Sequence, residues 1–337
     1  MNGPSKKPRV PHKEQPWRPP KLADEWRIFE PDCVQRDLSA VYRIQLMDPK
    51  DPLKTFLIHR FVDDDKEGII ELGQTQNLLT KRWKFKQGVL KGNPADSEGF
   101  NLHYLHAKNE WLKETFGTKE DLYNRARISY IPVQKRYLRS AEGNIIDEYI
   151  GRFGEPPVLN GQVPGHARPD ICGGKLPIGK IPQKAPALKN IKLDWRLSAP
   201  ISPLHDKCVI YRIHLLRYDD PSRYCPIQRF EKVDPEGVLV IGYTIDFWRR
   251  WREFKSALGG SRRHGEGGLF HHAYDLSARL RELVGPKEEI TLRLIYSLVE
   301  IEPSQLVVGE YKAMDEYVKE YAELPPLNCQ APGKWRL

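Results

Sequence analysis

Two kinds of hydrophobic pattern follow one another along the chain and predict strands, then helices. Residues 40–46 and 209–216 alternate in part between apolar and polar positions and are rich in β-branched side chains, which is typical of strands. Short apolar runs at 68–72 and 237–241, each after an acidic turn, predict a second strand. The segment between the members of each pair is a candidate for a further strand.

Helical spacing follows each group of strands. Residues 77–85 and 247–258 carry Leu, Trp and Phe at helical spacing with basic residues between them, so each predicts an amphipathic helix. Gly117 and Gly285 stand where a second helix should end, since glycine is preferred just after a helix. The other predicted elements are second helices at 105–115 and 273–284, third strands at 125–133 and 293–301, and a last helix before each Pro-Pro pair. Together they predict an α+β fold in which few-stranded sheets are flanked by helices.

The predicted elements recur because the sequence itself repeats. Ile58-His59-Arg60-Phe61 returns as Ile227-Gln228-Arg229-Phe230, an offset of 169 residues (58 to 227). After one deleted residue the offset is 168, which pairs Lys81-Arg82-Trp83 with Arg249-Arg250-Trp251. Matches at a nearly fixed offset indicate a tandem duplication of a module of about 135 residues, the size of an independent domain.

The repeat divides the chain into four parts. We expect a basic, proline-rich tail at 1–26, a first module at 27–165, a linker rich in Pro, Gly and Lys at 166–195, and a second module at 196–337.

Composition and charge narrow the class of protein. Hydrophobic residues make up 39% of the 337 residues, too many for a disordered chain. No apolar run is long enough for a membrane helix and no signal peptide is predicted, so we expect a soluble, intracellular protein without a membrane partner. The net charge of +9 favours a polyanionic partner. Five cysteines without a Cys-x-x-Cys pair signal neither a disulfide framework nor a zinc site.

The two copies share a small set of polar residues with nuclease chemistry. Each has a bland explanation on its own, as a core hydroxyl, a solvated helix residue, a helix cap or a turn. As a set they supply a carboxylate for a hard cation, a base near an attacking water and a fixed cation for phosphorane charge. The candidates are Tyr42, Arg82, His103, Glu148 and Asn160 in the first copy, and Tyr211, Arg250, His271, Glu316 and Asn328 in the second.

The order of these residues resembles that of the GIY-YIG nucleases, and restriction-type members resemble it most. Val41-Tyr42-Arg43-Ile44 and Ile210-Tyr211-Arg212-Ile213 are similar to the first motif of that family. Leu72-Gly73-Gln74-Thr75 and Ile241-Gly242-Tyr243-Thr244 are similar to the second, although Glu71 and Val240 stand where that motif has its tyrosine.

The resemblance implies a role for each shared residue. The tyrosine would help to deprotonate water, the arginine would stabilise transition-state charge, and the histidine would shuttle a proton or bind phosphate. The asparagine would orient these groups. Glu148 and Glu316 would each hold one Mg²⁺ or Mn²⁺, and Glu71 is a possible second metal ligand.

Basic residues of the first helix in each copy, mixed with aromatic ones, predict contacts to a nucleic acid. They are Lys81, Lys84, Lys86, Arg249 and Arg252, joined by Arg262 and Arg263 in a glycine-rich loop. The leading interpretation is a divalent-metal-dependent DNA endonuclease whose partner is double-stranded DNA. The alternatives are a non-catalytic nucleic-acid-binding protein built from degenerate nuclease modules, and a structural protein whose shared residues are turns and caps. The sequence leaves the oligomeric state open.

Overall fold

A computed structural model describes most of the chain. The described residues are 17–30, 37–93, 96–160, 193–197, 207–260 and 265–328. They form an α+β structure, as the hydrophobic patterns predict. None of the helices in this part of the chain is both long and apolar enough to cross a membrane.

The strands and helices occur in the same order in the two halves of the chain. In the first half the strands are β1 (Arg27–Ile28), β2 (Ala40–Leu46), β3 (Ile58–His59), β4 (Asp64–Asp65), β5 (Ile69–Thr75) and β6 (Ala126–Pro132). In the second half they are β7 (Arg196–Leu197), β8 (Val209–Leu215), β9 (Ile227–Gln228), β10 (Val233–Asp234), β11 (Val238–Thr244) and β12 (Leu294–Glu300).

The helices repeat in the same way. The first half has α1 (Leu78–Lys91), α2 (Ser97–Lys108), α3 (Glu110–Phe116), α4 (Lys119–Arg125) and α5 (Leu138–Phe153). The second half has α6 (Phe247–Leu258), α7 (Gly265–Leu276), α8 (Ala278–Val284), α9 (Lys287–Ile290) and α10 (Leu306–Tyr321).

Each half contains one four-stranded antiparallel sheet. The strand order is β1-β6-β2-β5 in the first half and β7-β12-β8-β11 in the second, so β5 and β11 are edge strands. The predicted extra strand is present as β3 and β9, but each pairs with β4 or β10 in a separate two-stranded sheet.

The sheet in each half is covered by helices on both faces. Val41 belongs to the same buried cluster as Ile145 of α5, whereas its neighbour Tyr42 belongs to the cluster that contains Phe85 of α1. Successive side chains of a strand point to opposite faces, so α1 and α5 lie on opposite sides of the first sheet.

One predicted helix is two helices in the structure. The sequence pattern predicts one helix over 105–115, but α2 ends and α3 begins at Asn109. The Asn109 side chain accepts a hydrogen bond from Leu112 N at 2.8 Å and so caps α3. Ser277 does the same for α8 by accepting from Leu280 N at 3.3 Å.

Part of the predicted tail packs on the first half. Leu22 and Trp26 lie in its buried core, and the ring of Trp17 stacks on Tyr137 with centroids 4.4 Å apart. Residues of the predicted tail from Trp17 to Trp26 therefore pack with the first half.

Four buried charges join the two halves. Arg60 donates from Nη1 to Glu323 Oε2 at 2.8 Å, and Arg229 donates from Nη1 to Glu155 Oε2 at 2.9 Å. Each arginine also pairs with the glutamate of its own half, at 3.1 Å for Arg60 and 2.9 Å for Arg229. All four side chains are at most 2% exposed. Burial would lower the pKa of Arg60, but Glu155 and Glu323 outweigh it and raise that pKa.

Backbone groups complete this charge cluster. Glu155 accepts from Phe61 N at 2.8 Å, and Glu323 accepts from Phe230 N at 2.7 Å. The arginines donate from Nη2 to Pro156 O at 2.6 Å and to Leu324 O at 2.7 Å. The contacts are related by an approximate two-fold relation between the halves, since each has its counterpart in the other half.

Helix contacts around the charge cluster have the same two-fold relation. Tyr104 of α2 donates to Asp315 of α10 at 3.2 Å, and His272 of α7 bonds to Asp147 of α5 at 2.8 Å. The two halves therefore share one interface made of equivalent elements from both.

We predict that Arg60→Ala destabilises the protein by about 3–5 kcal/mol, because it leaves two buried carboxylates with only one counter-charge, that of Arg229. The loss is measured from urea unfolding curves. Arg217→Ala removes an exposed ion pair to Asp219 and serves as the control, with no expected change in midpoint. An unchanged midpoint for Arg60→Ala would show that the charge cluster does not hold the halves together.

Candidate functional site

A tyrosine on the central strand of each sheet reaches across the edge strand. Tyr42 lies opposite Gly73, and Tyr211 lies opposite Gly242. A Cβ at either glycine would overlap the tyrosine hydroxyl, so the missing side chain lets the phenol lie over the edge strand. This is the physical reason for a glycine at these positions.

In the first half the hydroxyl of Tyr42 enters a buried cluster of charges. It donates to Glu71 Oε1 at 2.5 Å, and Lys81 Nζ lies 3.2 Å from the same oxygen. Lys81 also pairs with Asp96 at 2.8 Å and with Glu98 at 2.9 Å. One lysine therefore faces three carboxylates. The other oxygen of Glu71 is buried and has no hydrogen-bond partner among the described residues.

Burial shifts the ionisation of these groups. It raises the pKa of Glu71 to about 8, against the opposing charge of Lys81. Burial also raises the pKa of Tyr42 well above its usual value, and Glu71 raises it further. Burial would lower the pKa of Lys81, but Glu71 and the other acids outweigh it. Tyr42 is therefore a neutral phenol and Lys81 a cation at neutral pH.

In the second half an arginine takes the position of the lysine. Arg250 donates from Nε to the Tyr211 hydroxyl at 3.1 Å and from Nη2 to Glu266 at 3.1 Å. Burial raises the pKa of Tyr211 although Arg250 opposes the shift. Val240 occupies the position of Glu71, so this site has fewer carboxylates for its one cation.

The helix register differs from the one that sequence identity suggests. Asn77 and Asp246 cap α1 and α6, which keeps the offset of 169 into these helices and makes Lys81 the counterpart of Arg250. The predicted pairing of Arg82 with Arg250 therefore does not hold. The guanidinium of Arg82 lies over the ring of Phe29, 5.0 Å from its centroid, whereas Lys81 faces the Tyr42 site.

The structure does not bring Glu148 and Glu316 to the tyrosines. Glu148 accepts a hydrogen bond from Leu22 N at 2.8 Å, on the α5 side of the sheet. Glu316 is 3.7 Å from Lys312 and acts on the pKa of Arg212, a strand residue next to Tyr211. Neighbouring strand residues point to opposite faces, so these glutamates lie across the sheet from the phenols.

Two other glutamates, Glu142 and Glu310, lie closer to the tyrosine sites. Glu142, in the first turns of α5, accepts hydrogen bonds from Gln74 of the edge strand, and its pKa is raised to about 7 by burial and by the charge of Glu98. Glu310, on α10, lies close enough to Tyr211 to raise the pKa of that phenol. Sequence reasoning missed this pair, although the two are identical residues at an offset of 168.

The two histidines bind the far end of the first helix. His103 Nδ1 donates to Val89 O at 2.8 Å, and His271 Nδ1 donates to Leu258 O at 3.1 Å. Burial lowers the pKa of His103. Val89 is eight residues beyond Lys81, about 12 Å along the helix, so His103 lies away from the phenol.

The two asparagines close the free edge of each sheet. Asn160 accepts from Leu72 N at 2.9 Å and donates to Leu72 O at 2.6 Å. Asn328 makes the same pair of bonds to Ile241, at 2.8 and 2.7 Å. The side-chain amide thus pairs with the edge strand as another strand would, and holds the strand that carries the glycine.

Of the predicted nucleic-acid contacts, some lie on the surface and some do not. Lys81 is held by the acids of the first site, Lys86 lies over the ring of Tyr123, and Arg249 pairs with Glu253 at 2.7 Å. Lys84 and Arg252 are exposed. Arg262 and Arg263 lie outside the described residues.

Among the described residues no group of three or more His, Cys, Asp and Glu side chains could hold a metal ion. Comparison of the chain with protein-family models, with curated proteins and with solved structures gives no match.

We predict that Glu71→Gln changes the pH dependence of stability. Because the folded-state pKa of about 8 lies above the ordinary value of 4.5, the folded protein holds a proton that the unfolded chain releases, and stability decreases as pH rises between these values. In the wild type this proton should lower the free energy of unfolding by up to about 1.4 kcal/mol for each unit that the pH rises, and in Glu71→Gln this contribution should be absent. The free energy of unfolding is measured with urea from pH 5 to pH 8.

Glu120→Gln, at an exposed position of α4, is the control for this experiment and should keep the wild-type slope. Parallel curves for Glu71→Gln and the wild type would show that Glu71 is ionised throughout this range.

Proposed function

We propose that the protein is a divalent-metal-dependent endonuclease of double-stranded DNA and that its second half carries the reaction. The observation that supports this most is the contact of Arg250 with the Tyr211 hydroxyl at 3.1 Å, and the charge of Glu310 also acts on the pKa of that phenol. A fixed cation, a phenol and a carboxylate are the three groups that phosphodiester hydrolysis needs, and Arg250, Tyr211 and Glu310 would supply them.

The residues take roles like those that the resemblance to GIY-YIG nucleases implies, with one replacement. Arg250 would stabilise charge on the phosphorane, and Tyr211 would orient the attacking water as a neutral phenol. Glu310 replaces Glu316 as the metal-binding carboxylate. Asn328 supports the edge strand and does not touch the reacting groups.

A single carboxylate suits the metal that this reaction uses. Mg²⁺ keeps several waters and is commonly held by one or two carboxylates together with phosphate oxygens of the substrate. Glu310 would be the protein ligand in such a site, and the ion would supply a Lewis acid for the phosphate.

The first half is less suited to the reaction. Asp96 and Glu98 both pair with the single cation Lys81, so a phosphate would meet an excess of negative charge there. We infer that this half supports the fold and the DNA contacts rather than cleavage. An enzyme of this class would meet its substrate inside the cell.

We predict that Glu310→Gln lowers the rate of plasmid nicking in Mg²⁺ or Mn²⁺ by about a hundredfold, because the ion loses its protein ligand. Nicking is measured by gel electrophoresis of supercoiled plasmid. Glu316→Gln is the matched control, since it makes the same change on the same helix and should leave the rate within about twofold.

Two results would contradict this assignment. Equal nicking by Glu310→Gln and the wild type would remove Glu310 from the reaction. A greater loss in Glu142→Gln than in Glu310→Gln would place the reaction in the first half.

A second candidate function is nucleic-acid binding without cleavage. It is favoured by the burial of Tyr211, which is 1% exposed, and by the exposure of Trp83, which is 60% exposed on α1 beside Lys84. An exposed indole next to a cation can stack on a base while the cation contacts the phosphate.

For this second function we predict that Trp83→Ala weakens binding of single-stranded DNA by about tenfold in gel shifts, because a base loses its stacking partner. Leu292→Ala removes another exposed apolar side chain and should not change the affinity. DNA binding that depends steeply on salt, without nicking in either metal, would favour this function over the nuclease. The absence of any shift with DNA would exclude both.

A further inference from the structure

A tyrosine fills a surface hollow in the second half. Tyr218 lies in the loop after β8, and its ring packs so closely on Gly285 that a Cβ there would overlap it. The guanidinium of Arg293 lies over the same ring at 4.9 Å from its centroid. Arg293 is 4% exposed, and none of its three side-chain nitrogens has a hydrogen-bond partner among the described residues. The ring is therefore one neighbour of a buried cation, together with Glu289, whose charge opposes the lowering of the Arg293 pKa by burial.

The same hollow in the first half has no counterpart of the Tyr218 ring, although Phe116 lines its wall. Met47 and Leu216 form equivalent bridges, to Thr55 and Tyr224, so the counterpart of Tyr218 is Pro49, two residues after Met47. A cavity of about 650 Å³ opens at this position.

The walls of this cavity correspond to the groups that hold the tyrosine. Gly117 ends α3 as Gly285 ends α8, and Arg125 accepts from Met47 N through its carbonyl as Arg293 does from Leu216 N. Both Gly117 and Arg125 line the cavity. The cavity therefore has a glycine and an arginine at the positions of the two residues that contact the Tyr218 ring in the other half.

A second difference between the halves adds positive charge. Arg127 also lines the cavity, while its counterpart on β12 is Ile295. Asp121 is the acidic residue of the lining, and its carboxylate already accepts from Thr118 N at 2.9 Å and from Thr118 Oγ1 at 2.6 Å in the capping box of α4. The first half thus has Pro49 in place of Tyr218 and a second guanidinium at one place, and Phe116 lines the cavity where the second half has Val284.

We propose that this cavity binds a nucleotide. The base would occupy the place of the Tyr218 ring, against Gly117 and beneath the guanidinium of Arg125, and the phosphate would contact Arg127. A flat ring satisfies the arginine by a cation–π contact, and a phosphate is matched by a second, planar guanidinium. The volume lies within the usual range for small-molecule sites. The ligand is either a free nucleotide or a base and phosphate of a nucleic-acid strand.

The test is calorimetric titration of the full chain with adenosine 5′-monophosphate. Pro49→Tyr refills the cavity with the side chain that the second half uses, and it should weaken binding by roughly tenfold or more. Arg127→Ile introduces the second-half residue and should reduce the affinity for the nucleotide to that for adenosine. Unfolding curves establish that both variants are folded.

The outcomes separate this site from the nuclease site. Pro49→Tyr should nick plasmid at the wild-type rate, since Pro49 belongs to neither candidate nuclease site. Competition of a short single strand with the nucleotide would identify a base on a strand as the ligand, whereas a lack of competition would identify a free nucleotide. The proposal is overturned if the wild type binds no nucleoside monophosphate or if Pro49→Tyr binds it as tightly.

Discussion

The buried cluster of Arg60, Glu155, Arg229 and Glu323 is the constraint on which the arrangement of the two halves depends. The charges of two arginines and two glutamates balance, and each arginine pairs with one glutamate from the other half of the chain. Separating the two halves would expose these charges or leave them without partners, and an unpaired buried charge destabilises a protein by several kcal/mol. The duplicated chain is therefore one folded unit, in which each half completes the interior of the other.

A shared scaffold has allowed the two tyrosine sites to differ. The two halves differ both in the cation of the first helix and in one residue of the edge strand. The first half has Lys81 facing Glu71, and the second half has Arg250 and Val240 at the equivalent positions. A buried carboxylate needs a cation within reach, and a longer guanidinium can span the phenol and Glu266 where no such carboxylate is present. Both halves have a glycine opposite the tyrosine, because the Cβ of any other residue would overlap the tyrosine hydroxyl.

Much of the fold was predictable from the sequence, and less of the site was. The α+β class, the central strands and the repeated order of elements follow from hydrophobic period and repeat offset, and the structure confirms them. The predicted pairing of Arg82 with Arg250 was wrong because it aligned the Arg-Trp pairs of the two helices. The N-cap residues of these helices fix the register and align Lys81 with Arg250 instead. Glu142 was missed because a motif spacing drew attention to Glu148, and only the packing of α5 shows which face each glutamate occupies.

A duplicated chain contains its own control for inferences about binding. Where the halves agree, as with Asn160 and Asn328 on the edge strands, the agreement is explained by a contact that the fold requires. Where they differ, as with Pro49 and Tyr218, the scaffold is held constant and the difference must be explained locally. In the first half Arg125 and Arg127 both line the cavity where the second half has the ring of Tyr218, so two like charges approach each other there. A ligand that supplies both a flat ring and an anion matches these two guanidinium groups, which is why a nucleotide fits the first half better than an apolar molecule would.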